Sequence, residues 1–460
     1  MAEHSFLWSY SKVCRLEYLR GEAPAVFIPA LITATSLQGL FAPSVLEGVA
    51  VFAVLYLTGF IVNALADREL DLKYDTFKRE IGEATREIGP PRVRGLLVVH
   101  LAIAFALTVH LSVTLGAPEL LALVALGTFL AMAYSLPPLH FKVRGVAAHA
   151  LSLSLSAFAI PFLFLYRVAA GEIDAYGWGI CAAFTLTHYG LTYTNQAYDF
   201  DADLREGVRT PPVRLGLQRS LTASAGMVAV GLPLLTFALV ALVLSRENVA
   251  AVWGAAGQAL IAVGGGLLLA AGYSVPLRGI SRMMAAVRAE PVESDAVPKM
   301  RAQVNYANFH AAGIASLAVF GLLLFASTVQ AHTLLEESAA ANMTIEGAAA
   351  ASLSTIPGVG SYSNFTIEVR NAGSIPIPAA AWTIQTVSSE TFGSRGIAGI
   401  VSSHSIHERV EPGETQSVSI TGVLAFPGAG GWDVAFRLVL DLDGNGPGGH
   451  EIDRLTVHLP

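Results

Sequence analysis

Charged residues and cysteines are scarce in this chain of 460 residues. Only 14% of the residues are charged, whereas 53% are hydrophobic and the mean hydropathy is +0.55. This balance excludes an ordinary soluble domain and indicates an integral membrane protein. The two cysteines, Cys14 and Cys181, lie far apart in the sequence. Their number and spacing exclude a disulfide framework and a zinc site built on cysteines.

An excess of basic residues is also absent. The chain has 28 Lys and Arg and 35 Asp and Glu, and from Glu336 onward there are 13 acidic residues and only 5 basic ones. Nucleic-acid binding is not indicated, because it needs a basic patch. The N-terminal stretch MAEHSFLWSYSKVCRLEYLRGEA does not resemble a cleavable signal, which has a short basic region and a small-residue cleavage site. We expect it to be retained in the cytosol.

Nine hydrophobic runs are long enough, at about 20 residues each, to cross a bilayer as helices. They lie near residues 23–42, 45–65, 95–116, 118–136, 146–166, 175–196, 222–244, 250–273 and 308–331. The N-terminus and the loops after the even-numbered runs hold nearly all the Lys and Arg of this region, which predicts that they are cytosolic. Nine crossings from a cytosolic start then place the C-terminus outside the cytoplasm.

The C-terminal part has a different sequence period. Residues 333–360 are rich in Ala, Ser and Gly and are predicted to link a transmembrane domain, 1–332, to a second domain, 361–460. Beyond the linker, apolar and polar residues alternate in short runs separated by Gly, Pro and Asn, which is typical of strands. We predict a small all-β domain, an Ig-like β-sandwich, in an extracytoplasmic position where an extracytoplasmic partner has access to it.

Two acidic motifs with the same spacing, NALADRELD and NQAYDFDAD, end the second and the sixth run. Each provides one Asn and two Asp at steps of four: Asn63, Asp67 and Asp71, then Asn195, Asp199 and Asp203. Steps of four place each trio on one stripe of a helix, from which Asp201 points away. Either trio alone is explained equally well by polar residues that finish a helix at the interface. Two matching trios favour a ligand site, because ionisable residues at this depth cost free energy.

Carboxylates on facing helices repel each other unless a cation lies between them. Hard oxygen ligands suit Mg²⁺, which shares its coordination shell with substrate phosphates, so the motifs predict a diphosphate bridged by Mg²⁺. A leaving pyrophosphate also needs cationic partners, although the positive-inside rule explains any one cytosolic cation more economically. The candidates are Arg68, Lys78, Arg79, Lys142, Arg209 and Arg214.

A third motif, YSLPPLHFK, ends the fourth run. Pro137 and Pro138 stop the helix, Tyr134 stays at the membrane edge, and Lys142 can reach the same mouth. In this order, the three motifs resemble the UbiA superfamily of intramembrane prenyltransferases over about residues 10–330, and GVRTPPVRLG (207–216) resembles its downstream segment. Two departures are Ala64, where the family usually has Asp, and KREIG (78–82), where many members have Arg-Pro.

The resemblance implies an all-α membrane bundle around a central cavity that is open to the cytosol and to lipid. It also implies Mg²⁺-dependent transfer of a prenyl group from a polyprenyl diphosphate to a membrane-associated acceptor, with release of pyrophosphate. By this resemblance both trios hold Mg²⁺. The predicted catalytic residues are Asp67, Asp71, Asp199, Asp203 and Lys142, and the predicted diphosphate-binding residues are Asn63, Arg68, Asn195, Tyr134, Lys78, Arg79 and Arg209. Quinone precursors, prenylated glycerol phosphates and other lipids stay open as acceptors.

Two other functions fit parts of the sequence. A CDP-alcohol phosphotransferase also places membrane aspartates around a metal, but it would show one compact D-G-x-x-A-R-type motif instead of two clusters separated by four runs. A membrane-anchored protein that binds a surface partner through its β-domain would need fewer spans. That function would also leave both acidic motifs unexplained.

Overall fold

The computed structural model describes residues 5–74, 77–304, 309–356, 360–378, 382–388, 400–405, 409–425, 432–440 and 450–459. The chain divides into two compact units. The first contains Met1–Val243 and Ile261–Phe325, and the second contains Leu244–Leu260 and Ala326–Pro460. The division therefore falls at the last residue of the helix Leu217–Leu244 and within the helices Glu247–Arg288 and Ala311–Asn342.

Helices account for nearly all of the first unit. A three-residue 3₁₀ turn, Phe141–Val143, precedes α8, and a π-helical turn, Leu155–Ala159, joins α8 to α9. The helices of the chain are α1 (Phe6–Val13), α2 (Leu16–Thr33), α3 (Leu37–Leu40), α4 (Pro43–Asp71), α5 (Phe77–Ile88), α6 (Pro90–Thr114), α7 (Glu119–Ser135), α8 (Val146–Ser154), α9 (Ile160–Ala170), α10 (Ala175–Tyr198), α11 (Phe200–Arg205), α12 (Pro211–Leu215), α13 (Leu217–Leu244), α14 (Glu247–Arg288), α15 (Glu293–Arg301) and α16 (Ala311–Asn342).

Each of the nine predicted runs overlaps a helix, but the count of nine spans is not confirmed. In the part of the chain that the structure describes, six helical segments are long and apolar enough to cross a membrane, and α7 is a shorter apolar helix. The six are Leu37–Asp71, Pro90–Thr114, Val146–Ala170, Leu217–Leu244, Glu247–Arg288 and Ala311–Asn342. These helices make the chain a multi-pass membrane protein.

Polar composition explains why α2 and α10 are not among the six. The sequence of α2 includes Glu17, Arg20 and Glu22, and charged residues oppose insertion into hydrocarbon. The α10 helix has no charged residue, but it carries His188, Asn195 and several residues with hydroxyl groups. The hydropathy of α10 is therefore lowered by residues on the face that the site uses.

Small residues allow α10 and α13 to approach closely. A Cβ atom added to Gly190 would lie 2.9 Å from the Cβ of Met227, and one added to Gly231 would lie 2.8 Å from the backbone nitrogen of Thr187. Neither distance leaves room for a side chain. Small residues at helix contacts are typical of membrane bundles, in which close van der Waals packing drives association.

In the described part of the second unit, seven strands form two antiparallel sheets. One sheet has the order β1-β2-β5 and the other β4-β3-β6-β7. The strands are β1 (Met343–Ile356), β2 (Gly360–Asn371), β3 (Trp382–Ser388), β4 (Ile400–Ser405), β5 (Thr415–Ala425), β6 (Trp432–Leu440) and β7 (His450–Leu459). The predicted all-β region is therefore present, whereas its Ig-like class and its extracytoplasmic position are not confirmed.

The two sheets share one hydrophobic core, to which alternate residues of β1, β2, β3 and β6 contribute. Phe365, Ile367 and Val369 of β2 are buried in the same cluster as Phe436 and Leu438 of β6. The Phe365 and Phe436 rings meet edge to face, with centroids 4.9 Å apart. Such aromatic pairs add about 0.5–1.5 kcal/mol beyond the burial of their area.

The described part of the predicted linker, 333–356, is regular structure. It contains the last turns of α16 and the whole of β1, which pairs antiparallel with β2 from Met343↔Asn371 to Ile356↔Gly360. Its alanine-rich sequence has low strand propensity, so its composition resembles that of a linker. The segment forms a strand because its backbone hydrogen-bonds to β2, although its own composition does not favour a strand.

Replacing Phe436 with Ala tests whether the two sheets depend on one core. We expect Phe436→Ala to reduce the free energy of unfolding of the second unit by about 3–5 kcal/mol, because it removes a fully buried ring. Hydrogen exchange of the β2 and β6 amides in the purified full chain measures this loss. Glu368→Ala, on the exposed side of β2, is the control and should stay within about 0.5 kcal/mol of the wild type. Unchanged protection in Phe436→Ala would contradict a shared core.

Candidate active site

A cavity of about 770 Å³ lies inside the first unit. Most of its wall is apolar and aromatic, and includes Phe52, Leu55, Phe158, Phe162 and Phe164. Polar residues collect where α4 and α10 end. They include Asn63, Asp67, Lys78, Tyr134, Lys142, Asn195, Asp199 and Asp203. The cavity can therefore hold an amphiphile with a charged head and an apolar body.

Helical periodicity brings the two acidic motifs to the same cavity. On α10, the lining residues Phe184, His188, Thr192, Asn195 and Asp199 follow one another at steps of three or four, so they form one face of the helix. On α4 the same spacing leads from apolar residues to Asn63 and Asp67. The structure thus brings together residues that are more than 120 positions apart in the sequence.

The most buried ion pair joins the first acidic motif to the third motif. Lys142 Nζ lies 2.5 Å from Asp67 Oδ2, and the two side chains are only 12% and 9% exposed. Burial by itself would lower the pKa of Lys142, but the Asp67 carboxylate outweighs this effect and holds that pKa above its ordinary value. Lys142 therefore stays an ammonium ion inside the protein.

A second lysine balances the second acidic motif. Lys78, in the first turn of α5, lies 2.7 Å from Asp199 Oδ2, and its ammonium group lies 4.5 Å from the centroid of the Tyr74 ring. Cation–π contact and the ion pair fix the position of this lysine. One carboxylate of each acidic motif is therefore paired with a lysine from another element.

Asp203 accepts hydrogen bonds from two hydroxyl groups. Tyr74 donates to Oδ1 at 2.5 Å and Thr210 donates to Oδ2 at 2.9 Å. Burial and the negative charge of Asp199 raise the pKa of Asp203, although the bond from Tyr74 acts in the opposite direction. The two hydroxyls leave further lone pairs on both oxygens for another ligand.

The second acidic trio does not lie on one uninterrupted helix as its spacing predicts. The α10 helix ends at Tyr198, Asp199 follows as its cap, and Asp203 belongs to the short α11 helix. Asp199 and Asp203 still line the cavity. Asp201 is not among the described lining residues and pairs with Arg301 at 2.8 Å.

Asp71 lies behind the wall of the cavity. It is 1% exposed, and its Oδ2 has no hydrogen-bond partner among the described residues. Asn63 lines the cavity and accepts a hydrogen bond from Arg15 Nη2 at 3.3 Å. Asn195 lines the cavity as well. A buried carboxylate oxygen without a partner needs a cation or a hydrogen-bond donor, and the polar end of the cavity can receive either.

Three predicted phosphate-binding arginines, Arg68, Arg79 and Arg209, are not among the described residues that line the cavity. Arg68 pairs with Glu69 at 2.5 Å and Arg79 with Glu83 at 3.1 Å, whereas Arg209 is exposed. These positions do not support their predicted role, and each is accounted for by the positive-inside rule. Arg214, also outside this lining, donates to the carbonyl of Val143, beside Lys142.

Sequence reasoning missed Arg15, Tyr74, Thr210 and Arg301. Arg15 lies between α1 and α2 in the left-handed conformation (φ 51°), lines the cavity, and has a buried Nε that bonds to none of the described residues. Thr210 and Arg301 also line the cavity. Thr210 belongs to the segment GVRTPPVRLG, which resembles a segment of the prenyltransferase superfamily. Arg15 is one of several basic residues before the first hydrophobic run.

The donor set suits a hard divalent cation. Carboxylate and amide oxygens of both trios line or adjoin the polar end of the cavity. Asp71 Oδ2 has no hydrogen-bond partner there among the described residues. Oxygen ligands of this kind are the ones that Mg²⁺ takes. Within the described residues, no group of three or more His, Cys, Asp or Glu is already arranged as a metal site, and Lys142 and Lys78 supply the positive charge next to two of the carboxylates.

A membrane-embedded cavity with paired acidic motifs and buried lysines at one end defines a class of intramembrane enzyme that handles anionic, lipid-like substrates. The model of the UbiA prenyltransferase family matches residues 24–275, which is more than half of the chain. The chain belongs to this family and is a prenyltransferase. The second acidic motif lies within the matched residues, and the strands β1 to β7 lie beyond them.

Solved structures with a similar fold include a UbiA homologue from Archaeoglobus fulgidus. Bound to GPP and Mg²⁺, it has 15% sequence identity and a TM-score of 0.48, and the alignment covers 70% of this chain and 99% of that one. The same homologue bound to DMAPP and Mg²⁺ has 15% sequence identity and a TM-score of 0.46, and the alignment covers 71% of this chain and 99% of that one. A structure of digeranylgeranylglyceryl phosphate synthase has 12% sequence identity and a TM-score of 0.44, and the alignment covers 71% of this chain and 99% of that one. Curated protein sequences include no match.

The Asp67–Lys142 pair is expected to stabilise the first unit. Lys142→Met leaves a buried carboxylate without its cation and should reduce the free energy of unfolding by about 3–5 kcal/mol. The double variant Asp67→Asn/Lys142→Met should regain much of this loss, because no unpaired charge remains. Thermal unfolding in detergent compares these proteins. Arg92→Met, which alters an exposed arginine, is the control, and equal loss in the single and double variants would contradict the pairing.

Proposed function

We propose that this protein catalyses Mg²⁺-dependent transfer of a prenyl group from a polyprenyl diphosphate to a membrane-associated acceptor, with release of pyrophosphate. The observation that carries the proposal is the shape and charge of one cavity. Aspartates from two distant motifs and two largely buried lysines share its polar end, and most of the remaining wall is apolar. A prenyl diphosphate has the same division between an anionic head and a hydrocarbon body.

The residues that would hold Mg²⁺ are the members of the two trios. These are Asn63, Asp67, Asp71, Asn195, Asp199 and Asp203. When bound, Mg²⁺ supplies charge neutralisation for the diphosphate and for its departure as pyrophosphate. Asn63, Asp67, Asn195, Asp199 and Asp203 line the cavity directly, and Asp71 adjoins it with its unpartnered oxygen.

Cationic side chains would then bind the phosphate oxygens. Lys142 and Lys78 now pair with Asp67 and Asp199, and each can turn its ammonium group to a diphosphate oxygen once the carboxylates have another cation. Arg15 adds a guanidinium whose Nε bonds to none of the described residues. As the bond between the allylic carbon and oxygen breaks, negative charge grows on the leaving group, where fixed positive charges have most effect.

The apolar wall would hold the prenyl chain and exclude water from the electron-poor allylic carbon. Phe158, Phe162 and Phe164 belong to this wall. A nucleophilic atom of the acceptor attacks the allylic carbon, forms the new bond and loses its proton. Quinone precursors, prenylated glycerol phosphates and other lipids are all acceptors of suitable chemistry.

The membrane arrangement that accompanies this function has nine spans, with residues 1–332 as the transferase domain. The helices α2, α7 and α10 would be the three spans beyond the six most apolar ones. The distribution of Lys and Arg supports a cytosolic N-terminus and a cytosolic mouth for the cavity. An odd number of spans then places the Ig-like β-region, 361–460, outside the cytoplasm, where it would be available to an extracytoplasmic partner.

The aspartates are expected to contribute unequally to transfer. With labelled geranylgeranyl diphosphate, candidate acceptors and Mg²⁺, the purified wild type should form a prenylated product. Asp67→Asn and Asp199→Asn should reduce kcat by about 100-fold or more, because they remove cation-binding groups from the polar end. Asp201→Asn should reduce it by less than about tenfold, since Asp201 is not among the described lining residues.

Metal removal provides an independent measurement on the same preparation. Chelation of divalent ions should abolish transfer and added Mg²⁺ should restore it, because the carboxylates bind the diphosphate only through a cation. Product formation by thin-layer separation of the labelled lipid reports both experiments. No product with any acceptor, or equal activity of wild type, Asp67→Asn and Asp199→Asn, would contradict the proposed function.

A further inference from the structure

A hydrogen-bonded cluster leads from the cavity lining into the interior of the first unit. His149 of α8 is fully buried. Its Nε2 lies 3.2 Å from the hydroxyl oxygen of Tyr134, and its Nδ1 lies 3.0 Å from that of Tyr189. Of the three, only Tyr134 is among the described residues that line the cavity. His149 therefore connects a hydroxyl at the site to a hydroxyl in the interior.

Aromatic rings hold the imidazole of His149 in place. The ring centroids of Tyr134, Tyr189 and Tyr193 lie 5.3, 6.0 and 6.2 Å from that of His149. Close-packed interiors restrict buried side chains to few rotamers. Each ring nitrogen of His149 consequently keeps one neighbouring hydroxyl.

Counting donors and acceptors assigns the protons of this cluster. A neutral imidazole has one N–H and one acceptor nitrogen. Among the described residues, His149 Nδ1 is the only hydrogen-bond partner of the buried Tyr189 hydroxyl. If Nδ1 carried the proton, the buried O–H of Tyr189 would have no acceptor, at a cost of about 1–3 kcal/mol, so Tyr189 donates its proton to Nδ1. His149 then carries its own proton on Nε2 and donates it to the oxygen of Tyr134.

Gln196 is a second neighbour of Nε2. Its side-chain amide contacts Nε2 of His149 and lies 3.5 Å from the hydroxyl oxygen of Tyr134. With Nε2 protonated, the amide oxygen of Gln196 faces it as an acceptor, because the opposite orientation would set two N–H groups against each other.

Tyr134 is then left with a free proton to donate. Its oxygen accepts from His149, and the Gln196 amide at 3.5 Å is too far away for a strong hydrogen bond, so the O–H is available to the cavity shared with Lys142 and Asp67. We propose that His149 and Tyr189 are positioning residues that hold the Tyr134 hydroxyl as a hydrogen-bond donor to the diphosphate group. The proposal rests on the proposed prenyl transfer.

A fixed donor of this kind acts mainly after substrate binding. Negative charge on the bridging and terminal oxygens of the diphosphate increases as pyrophosphate leaves, so a hydrogen bond from Tyr134 strengthens along the reaction. Loss of the donor should therefore reduce kcat and change the KM for prenyl diphosphate little. It should also weaken binding of inorganic pyrophosphate, in which that charge is complete.

The test compares variants of His149 and Tyr189 in two backgrounds. His149→Leu should reduce kcat by about 100-fold, as expected for one lost donor, and Tyr189→Phe by about tenfold, with the KM for prenyl diphosphate within about twofold. His149→Gln should recover part of the activity, because its amide N–H can replace Nε2–H. In a Tyr134→Phe background, His149→Leu and Tyr189→Phe should cause almost no further loss.

His100→Leu is the matched control. His100 also bonds to a tyrosine hydroxyl, that of Tyr10 at 3.1 Å, and is not among the described residues that line the cavity. Its loss should leave kcat unchanged. If His149→Leu does not fold, Tyr189→Phe in the two backgrounds gives the same test. A further large loss in the Tyr134→Phe background, or wild-type kcat in Tyr189→Phe and His149→Leu, would overturn the proposal.

Pyrophosphate binding separates this proposal from the proposed function. In the presence of Mg²⁺, calorimetry should show inorganic pyrophosphate binding about tenfold more weakly to His149→Leu and Tyr134→Phe than to wild type. Equal affinities would overturn the positioning roles even if the wild type transfers prenyl groups. A wild type that transfers nothing would instead contradict the proposed function, while a difference in pyrophosphate affinity would still support the cluster.

Discussion

Negative charge at membrane depth has to be balanced by positive charge close by, and the first unit depends on this constraint. Asp67 and Lys142 are both nearly buried and lie 2.5 Å apart, a separation at which loss of either partner would leave an uncompensated charge. Lys78 repeats the arrangement with Asp199. The polar end of the cavity consequently contains two ion pairs, which join four segments of the chain two by two.

The same balance suits the proposed chemistry. A lysine that neutralises a carboxylate in the free protein becomes available to a phosphate oxygen when the carboxylate gains another cation. The apolar wall strengthens these interactions, because the effective dielectric constant falls where water is excluded. Polar groups that lie deeper, around His149 and Tyr134, are hydrogen-bonded to one another, as buried polar groups generally are.

The extent to which the site could be predicted varied with the kind of residue. Asn63, Asp67, Asn195 and Asp199 could be grouped because helix geometry converts steps of four into one face. Arg68, from the same motif as Asp67, does not line the described cavity and pairs with Glu69, since its neighbouring position lies about 100° around the helix. Arg15 and Tyr74 lie in irregular segments whose paths no periodicity predicts, so they were missed.

The sequence by itself determined the helical membrane class, the strands in the C-terminal part and the pairing of the two acidic motifs, because hydrophobic length and periodicity are local properties. Tertiary structure decided which cations meet which carboxylates, and which polar residues support Tyr134. It also made a strand of the alanine-rich segment Met343–Ile356, which pairs along its length with β2. Contacts between distant segments depend on the path of the whole chain, and composition and spacing do not encode that path in a readable form.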